Sequence, residues 1–276
     1  MGKLDGKVAL VTGSGRGIGA EIARKLAADG AAVVVNDLDD APAKETVAAI
    51  EAAGGRAVAC AGSVTEPGFG DRFVQTAVES FGSLDIIVNN AGYTWDSVVQ
   101  KMSDEQWDAI LDVHLKAPFR ILRAAQPVIS RLAKQARAAG EQVPCRKVVN
   151  ISSIAGLGGN AGQVNYSAAK AGITGLTKTL AKEWGRYNVT VNTVAFGVIR
   201  TRLTEAPATG NNSIDIDGRE IKVGVNPDLL ATMEQGIPLG RAGTPAEAAG
   251  AVYLLCIPES DYISAQTLVC GGGFAL

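Results

Sequence analysis

Residues 7–37 read KVALVTGSGRGIGAEIARKLAADGAAVVVND. The opening run, KVALVT, is short, apolar and rich in Val, as a parallel strand buried on both faces is. Glycines at 13, 15, 17 and 19 then open a helix in which Ile18, Ile22 and Leu26 recur at helical spacing. Glycines at a strand-to-helix turn let the backbone approach a pyrophosphate, and the helix N-terminus favours its charge. Tight turns also use glycine, so the cluster alone decides nothing. The second run, AAVVVND, ends in Asp37, eighteen residues after Gly19. An acidic residue there accepts hydrogen bonds from an adenosine ribose and repels a 2′-phosphate, which favours NAD over NADP. Arg16 argues the other way, since a basic residue in the turn could reach that phosphate, but Asp37 weighs more. The competing reading of Asp37 is a helix cap or loop charge.

The strand–helix rhythm continues downstream. APAKETVAAIEAAGG (41–55) reads as a helix ending in Gly and RAVACAGSV (56–64) as a strand. EPGFGDRFVQTAVESFG (66–82) reads as a helix with Pro near its start, and LDIIVNNAG (84–92) as a strand entering a polar turn. This alternation predicts an α/β fold with a doubly wound parallel sheet, whose ligands bind beyond the carboxyl ends of the strands. Thr12, Asp37, Ser63, Asn90 and Ser153 all fall at such ends. Residues 104–140 form a long helical stretch that Ser103 or Asp104 can cap and that Pro118 and Pro127 are expected to kink. EQVPCR is a polar connector. His114, the only histidine, lies in the helical stretch without Cys or carboxylate partners at ligand spacing, so a metal role is rejected.

Residues 150–170, NISSIAGLGGNAGQVNYSAAK, carry the chemistry. Tyr166 and Lys170 are four residues apart on a stretch with good helix formers, which places them on one face. An ammonium beside a phenol favours the phenolate and is expected to lower the tyrosine's pKa. Ser153 ends the strand-like run RKVVNISS and can hold a carbonyl oxygen. A tyrosine that trades a proton near neutrality, with such a serine, suits carbonyl–alcohol chemistry. Taken alone, Tyr-x-x-x-Lys is more often an ordinary amphipathic pair. Beyond a further buried strand, NVTVNTVAFG, the periodicity weakens from Val198 to Arg241. SIDI and REIKV flank Asp217-Gly218 there, a hairpin signal, and an excursion of this length reads as a lid over a site. TPAEAAGAVYLLCI (244–257) is a helix, and QTLVCGGG closes as a last strand. With no repeat or linker, residues 1–276 read as one domain with an excursion at 198–241.

The composition restricts the partners. The chain has 276 residues, 47% hydrophobic and 20% charged, with a net charge of −2. It can bury a large core and shows no basic footprint for nucleic acid. Cys60, Cys145, Cys256 and Cys270 are scattered, so neither a zinc site nor a disulfide framework is indicated. The N-terminus does not read as a signal peptide and no apolar run approaches a membrane span, so a cytoplasmic protein with reduced thiols is expected.

The sequence resembles the short-chain dehydrogenase/reductase family over essentially its whole length. The matching motifs are Thr12-Gly13-x-x-x-Gly17-Ile18-Gly19, Asn89-Asn90-Ala91-Gly92, Ser153 and Tyr166-x-x-x-Lys170. The subgroup looks like the 3-oxoacyl reductases acting on acyl carrier protein or CoA thioesters. VHLKAPF is similar to the 3-hydroxyacyl-CoA dehydrogenase domains of peroxisomal multifunctional enzymes. The resemblance implies a single Rossmann domain with about seven parallel strands, and a homotetramer built on the long helices and the C-terminal strand. It implies that Tyr166 is the acid/base, that Lys170 lowers its pKa and holds the nicotinamide ribose, and that Ser153 binds the substrate oxygen. Gly13, Gly15, Arg16, Gly17 and Ile18 would carry the pyrophosphate with Gly19, and Asp37 the adenosine ribose. Ser63 and Val64 would flank adenine, while Asn90 and Ile199 would line the cofactor.

Three departures stand out. His114 replaces the family's Asn, the member that holds a relay water. It can still hold a water, but its charge state is expected to add pH dependence near neutrality. Ser63 replaces the usual Asp. Phe196 replaces the Pro of the Pro-Gly turn before the substrate loop. The expected activity is hydride transfer between NAD(H) and a secondary alcohol or ketone, a 3-oxoacyl or 3-hydroxyacyl thioester first. Arg200, Arg202, Arg219 and Lys222 are candidates for a basic pocket rim that such a carrier-bound thioester would want, although exposed charges in a loop are more often just solvated. The rival is an NAD-dependent secondary-alcohol, sugar or hydroxysteroid dehydrogenase. From other classes come a nucleotide-sensing binding protein and a sugar-nucleotide epimerase, the latter disfavoured by the short C-terminal excursion.

Overall fold

The computed structural model describes residues 2–201, 213–216, 218–222 and 227–274. In chain order it contains β1 (Val8–Val11), α1 (Gly17–Ala28), β2 (Ala32–Val35), α2 (Asp40–Ala52), β3 (Arg56–Ala59) and α3 (Phe69–Phe81). Then follow β4 (Ile86–Asn89), α4 (Asp104–Leu111), a π-helical turn (Asp112–Lys116), α5 (Ala117–Ala138), β5 (Arg146–Ser153), α6 (Ala155–Gly158) and α7 (Val164–Trp184). The last elements are β6 (Val189–Phe196), β7 (Ser213–Ile216), β8 (Arg219–Lys222), α8 (Pro227–Gln235), α9 (Pro245–Leu254) and β9 (Thr267–Cys270).

Seven strands form one sheet in the order β3-β2-β1-β4-β5-β6-β9, every neighbouring pair parallel. Successive side chains of each strand point to opposite faces and feed two separate cores. Val8, Leu10, Ile87 and Val148 pack with α3, α5 and α7, whereas Ala9, Val11, Val88 and Val149 pack with α1, α2 and α9. This two-sided burial explains why the strands read as continuous apolar runs. The strand order reverses between β1 and β4, which opens a crevice at the carboxyl end of the sheet.

The 104–140 stretch differs from expectation. Ser103 caps α4 through a capping box with Gln106. Pro118 lies in the first turn of α5, directly after the π turn. Proline donates no N–H, so the carbonyl four residues earlier, that of His114, cannot make the α-helical i+4 bond, and the change of register falls there. Pro127 lies inside α5, which runs on to Ala138.

The Asp217-Gly218 hairpin forms as β7 and β8, antiparallel with Ile214 opposite Ile221 and Ile216 opposite Arg219. Gly218 takes φ +79, the left-handed region such turns need. Asp217 itself lies outside the described residues. Ile221 is buried in the larger core cluster, and Arg219 Nε pairs with Glu105 Oε1 at 2.8 Å, which seats the hairpin beside the start of α4.

Candidate active site

The turn after β1 is shaped by contacts that exclude side chains. A Cβ on Gly19 would lie 2.0 Å from the Gly13 carbonyl oxygen, and one on Gly15 would lie 2.6 Å from Asp37 Oδ2. Gly13 and Gly17 take φ of +60 and +53. Arg16, the N-cap of α1, makes no side-chain capping bond, so the first amides of the helix keep their donors for a ligand. A narrow cradle of backbone amides at a helix N-terminus fits the pyrophosphate of a dinucleotide.

Two asparagines brace this cradle. Asn90 Nδ2 donates to the carbonyls of Thr12 (2.9 Å) and Gly13 (3.1 Å), while Thr12 Oγ1 accepts from the amides of Asn90 and Ala91. Asn90 therefore shapes the turn with its side chain. Asn36, which the sequence reading passed over for its neighbour Asp37, accepts from the Gly13 amide and donates to the carbonyls of Cys60 and Gly62. An amide in an otherwise apolar, buried strand was the available signal, because a buried polar side chain has to find partners.

On the adenosine side, Asp37 is buried beside Gly15. Arg16 does not reach outward: its Nη2 pairs with Asp39 Oδ2 at 3.1 Å and its Nη1 lies 3.9 Å from Asp37 Oδ1. Ser63 Oγ is engaged with Thr65 Oγ1 (2.8 Å), and Val64 is buried next to it. Across the crevice, Ile199 is buried and forms a bridge with Gly243. Phe196 ends β6 in register with Ser153 and Cys270, so the Phe-for-Pro departure leaves the strand and the first bridge beyond it intact.

Ser153, at the end of β5, lies beside Tyr166 near the start of α7. Lys170 lies one turn on, its Nζ 5.6 Å from the Tyr166 ring centroid and donating to the Ile151 carbonyl at 2.7 Å. The expected lowering of the Tyr166 pKa is not found. Burial of the hydroxyl pushes it up to about 12, the Ser153 hydrogen bond pulls it back, and Asp96 adds a smaller upward push. Tyr166 as a whole is half-buried. Burial also brings Lys170 down to about 7. Removing both groups from water outweighs the attraction that spacing alone suggested.

His114 completes the wall. Its Nε2 lies 2.7 Å from the Tyr93 carbonyl, which only accepts, so Nε2 carries the hydrogen and Nδ1 is a buried lone pair without a partner among the described residues. Burial, with the charge of Lys170, holds the imidazole well below its ordinary pKa. The expected pH dependence of this residue near neutrality is therefore corrected: His114 stays neutral there.

Two of the four basic rim candidates are already paired, Arg200 with Glu234 (2.8 Å) and Arg219 with Glu105. Arg202 and the side chain of Lys222 lie outside the described residues. The rim instead shows aliphatic groups. Ser97 bridges Gln163, Gln163 Nε2 donates to Asp96 Oδ2 at 2.7 Å, and Val98, Val99, Leu157 and Val164 on the joined segments are exposed.

The family model for short chain dehydrogenase matches residues 7–211, which include the glycine turn, Ser153, Tyr166 and Lys170. The chain belongs to the short chain dehydrogenase family. It is 38% identical over 278 residues to a 3-oxoacyl-(acyl-carrier-protein) reductase of Synechocystis sp., covering 100% of both chains. It is 39% identical over 272 residues to the short-chain reductase protein NovJ of Streptomyces niveus, covering 96% of this chain and 93% of the relative. A 3-oxoacyl-(acyl-carrier-protein) reductase FabG of Vibrio cholerae is 38% identical over 270 residues, covering 98% of each.

This short chain dehydrogenase is thus an oxidoreductase that uses a nicotinamide cofactor, as the cradle beyond β1 fits. Among the described residues no group of His, Cys, Asp and Glu forms a metal site, and no helix is long and apolar enough to cross a membrane. All four cysteines are free.

Proposed function

We propose that this short chain dehydrogenase reduces 3-oxoacyl thioesters, or oxidises the corresponding 3-hydroxyacyl thioesters, with NAD(H) as cofactor. The observation that carries the reading is the convergence of Ser153, Tyr166 and Lys170 beside the glycine cradle at the carboxyl end of the sheet. The Ser153 hydroxyl donates to the substrate carbonyl oxygen, and Tyr166 gives that oxygen its proton in reduction or takes it in oxidation. Lys170, anchored on Ile151, holds the nicotinamide ribose and keeps a positive charge near the phenolate as it forms. A bound nicotinamide would supply or accept the hydride at the carbonyl carbon. Gly13 to Gly19 receive the pyrophosphate, Asp37 the adenosine ribose, Ser63 and Val64 the adenine edge, and Ile199 the nicotinamide side.

The similarity to the two 3-oxoacyl-(acyl-carrier-protein) reductases supports the substrate class. So do the exposed aliphatic side chains beside Tyr166, which suit an acyl chain. The buried Asp37, with Arg16 held by Asp37 and Asp39, supports NAD over NADP. A second reading, a secondary-alcohol, sugar or hydroxysteroid dehydrogenase, draws on the pairing of Arg200 and Arg219, which leaves fewer cations for a phosphorylated carrier. We further propose one domain over residues 1–276, a cytoplasmic location, and a homotetramer. For the last, the exposed Leu268 and Val269 on edge strand β9, with Ile263 and Tyr262, offer an apolar surface for a second copy.

The test titrates NADH and NADPH in parallel and then measures turnover of acetoacetyl-CoA, for the wild type and for Tyr166→Phe. NADH preference with thioester turnover, abolished in Tyr166→Phe while cofactor binding survives, is the expected result. Normal turnover by Tyr166→Phe would overturn the assignment of the acid/base. Absence of thioester turnover beside tight NADH binding would favour the second reading.

A further inference from the structure

Four buried polar side chains cross the middle of the sheet and enter α7. Asn89 Nδ2 on β4 donates to Asn150 Oδ1 on β5 at 2.8 Å, and Asn150 Nδ2 donates to Thr177 Oγ1 on α7 at 2.9 Å. Thr193 Oγ1 on β6 donates to the same Thr177 oxygen at 2.9 Å. Their residues are 5%, 0%, 1% and 0% exposed.

Such a ladder is a poor way to gain stability. Each polar group loses water on burial, and well-packed aliphatic groups of the same shape would serve as well or better. What hydrogen bonds add is a fixed register. An apolar helix lying on an apolar sheet can settle at neighbouring heights, whereas one accepting two donors at a single oxygen cannot.

The helix so fixed is the one that carries the proposed chemistry. Tyr166, Lys170, Ile173 and Thr177 are spaced by four, three and four residues, which is one stripe of a helix facing the sheet. The same stripe is fastened again at Lys170: Ser152 Oγ donates to its carbonyl at 2.7 Å, and its Nζ donates to the Ile151 carbonyl. Both partners lie on β5, the strand of Asn150 and Ser153. At the other end, Asn89 is followed by Asn90, whose side chain braces the turn that receives the pyrophosphate. A continuous path therefore runs from the cofactor cradle through β4 and β5 to the helix of Tyr166.

We propose that Asn150 and Thr177 are positioning residues. Through the ladder they set the height of α7 against the sheet, and so the distance from the Tyr166 hydroxyl to the substrate oxygen. The inference rests on the proposed function for its reaction class, and not for its substrate.

The experiment compares wild type, Thr177→Val and Thr177→Ser on the fastest carbonyl substrate of the wild type, thioester or not, so a failed thioester assignment leaves it intact. Thr177→Val keeps the shape and loses the oxygen that Asn150 and Thr193 bond. Its kcat is expected to fall about 10- to 100-fold, the effect of a misplacement of about 1 Å. Reduced-cofactor Kd should change less than kcat, since the pyrophosphate cradle is untouched and only the Lys170 contact moves with α7. The primary isotope effect with nicotinamide deuterated at the transferred position should rise as the chemical step slows. Thr177→Ser, which restores the oxygen, should recover most of kcat. Thr193→Val, which removes one donor and leaves α7 untouched, gives the same readouts at smaller size and serves if Thr177→Val does not fold. A Thr177→Val enzyme with lowered Tm but unchanged kcat and isotope effect would overturn the proposal. So would a Thr177→Ser enzyme as slow as Thr177→Val.

Discussion

The rings of His114 and Tyr166 stand nearly perpendicular, at 87°, with centroids 5.0 Å apart. The candidate acid/base thus leans on an imidazole that burial keeps uncharged. In the unfolded chain this imidazole takes a proton as the pH falls through about 6.5, whereas in the folded protein it does not at the same pH. The unfolded state then binds more protons, so stability falls with pH below about 6.5, by up to about 1.4 kcal/mol per pH unit. Urea denaturation at pH 5 and pH 7 should show this loss in the wild type and a reduced loss in His114→Leu. Equal losses in both proteins would assign the acid sensitivity to other groups.

Gly92 is the floor under that imidazole. A Cβ there would meet His114 Cε1 at 2.0 Å, and His114, in a buried turn, has no room to retreat. Gly92→Ala should lower Tm by several degrees and cut turnover at least about tenfold, through displacement of the ring against Tyr166. Adding His114→Ala frees the space, so the double variant should recover Tm relative to Gly92→Ala. Additive losses in thermal melts would contradict the steric account.

Lys170 is costly to the fold. Its pKa of about 7, against an ordinary 10.5, means that between those values the unfolded chain carries a proton the folded one lacks. Its contribution therefore makes stability rise with pH across that window, and at pH 7 and below the folded state bears the full cost of a buried cation. Lys170→Met should be more stable than the wild type at pH 6–7, by a few kcal/mol. The advantage should shrink toward pH 10.5, and turnover should be lost. Denaturation curves at pH 6.5 and pH 9.5 check the sign, and a variant less stable at both would refute it.

Cofactor choice should respond to Asp37. Asp37→Ser removes the carboxylate that repels a 2′-phosphate and frees Arg16 from one of its two partners. The ratio of kcat/KM for NADPH over NADH should rise about 10- to 100-fold. Adding Arg16→Ala should reverse most of that gain. An unchanged ratio in Asp37→Ser would remove Asp37 from the specificity argument.

The layered fold could be read because its information is local. Val-rich runs such as KVALVT, glycines at strand-to-helix turns and the Asp-Gly hairpin each act within a few residues. The site was legible as a set of positions: Thr12, Asp37, Asn90 and Ser153 do meet at the carboxyl end of the sheet. Its electrostatics were not, because spacing counts the charges on a helix face but not the water each has lost. Tyr166 and His114 were both misjudged for that reason. The π turn at 112–116 left no mark in the periodicity, and Pro118, its neighbour, pointed to a kink instead. Asn36, Asn89 and Asn150 could have been noticed as amides that end or interrupt apolar runs.

The outer partner of β6 comes from far along the chain. β6 ends at Phe196, but its partner β9 begins only at Thr267, and β6 is buried along its whole length in the finished sheet. On the ribosome, the β6 edge stays uncovered while some seventy further residues emerge. A nascent chain stalled or cleaved before Thr267 exposes unpaired amides and carbonyls in a Val-rich segment, the kind of edge that recruits other strands. Chains that end before Thr267 should therefore aggregate rather than persist as soluble fragments.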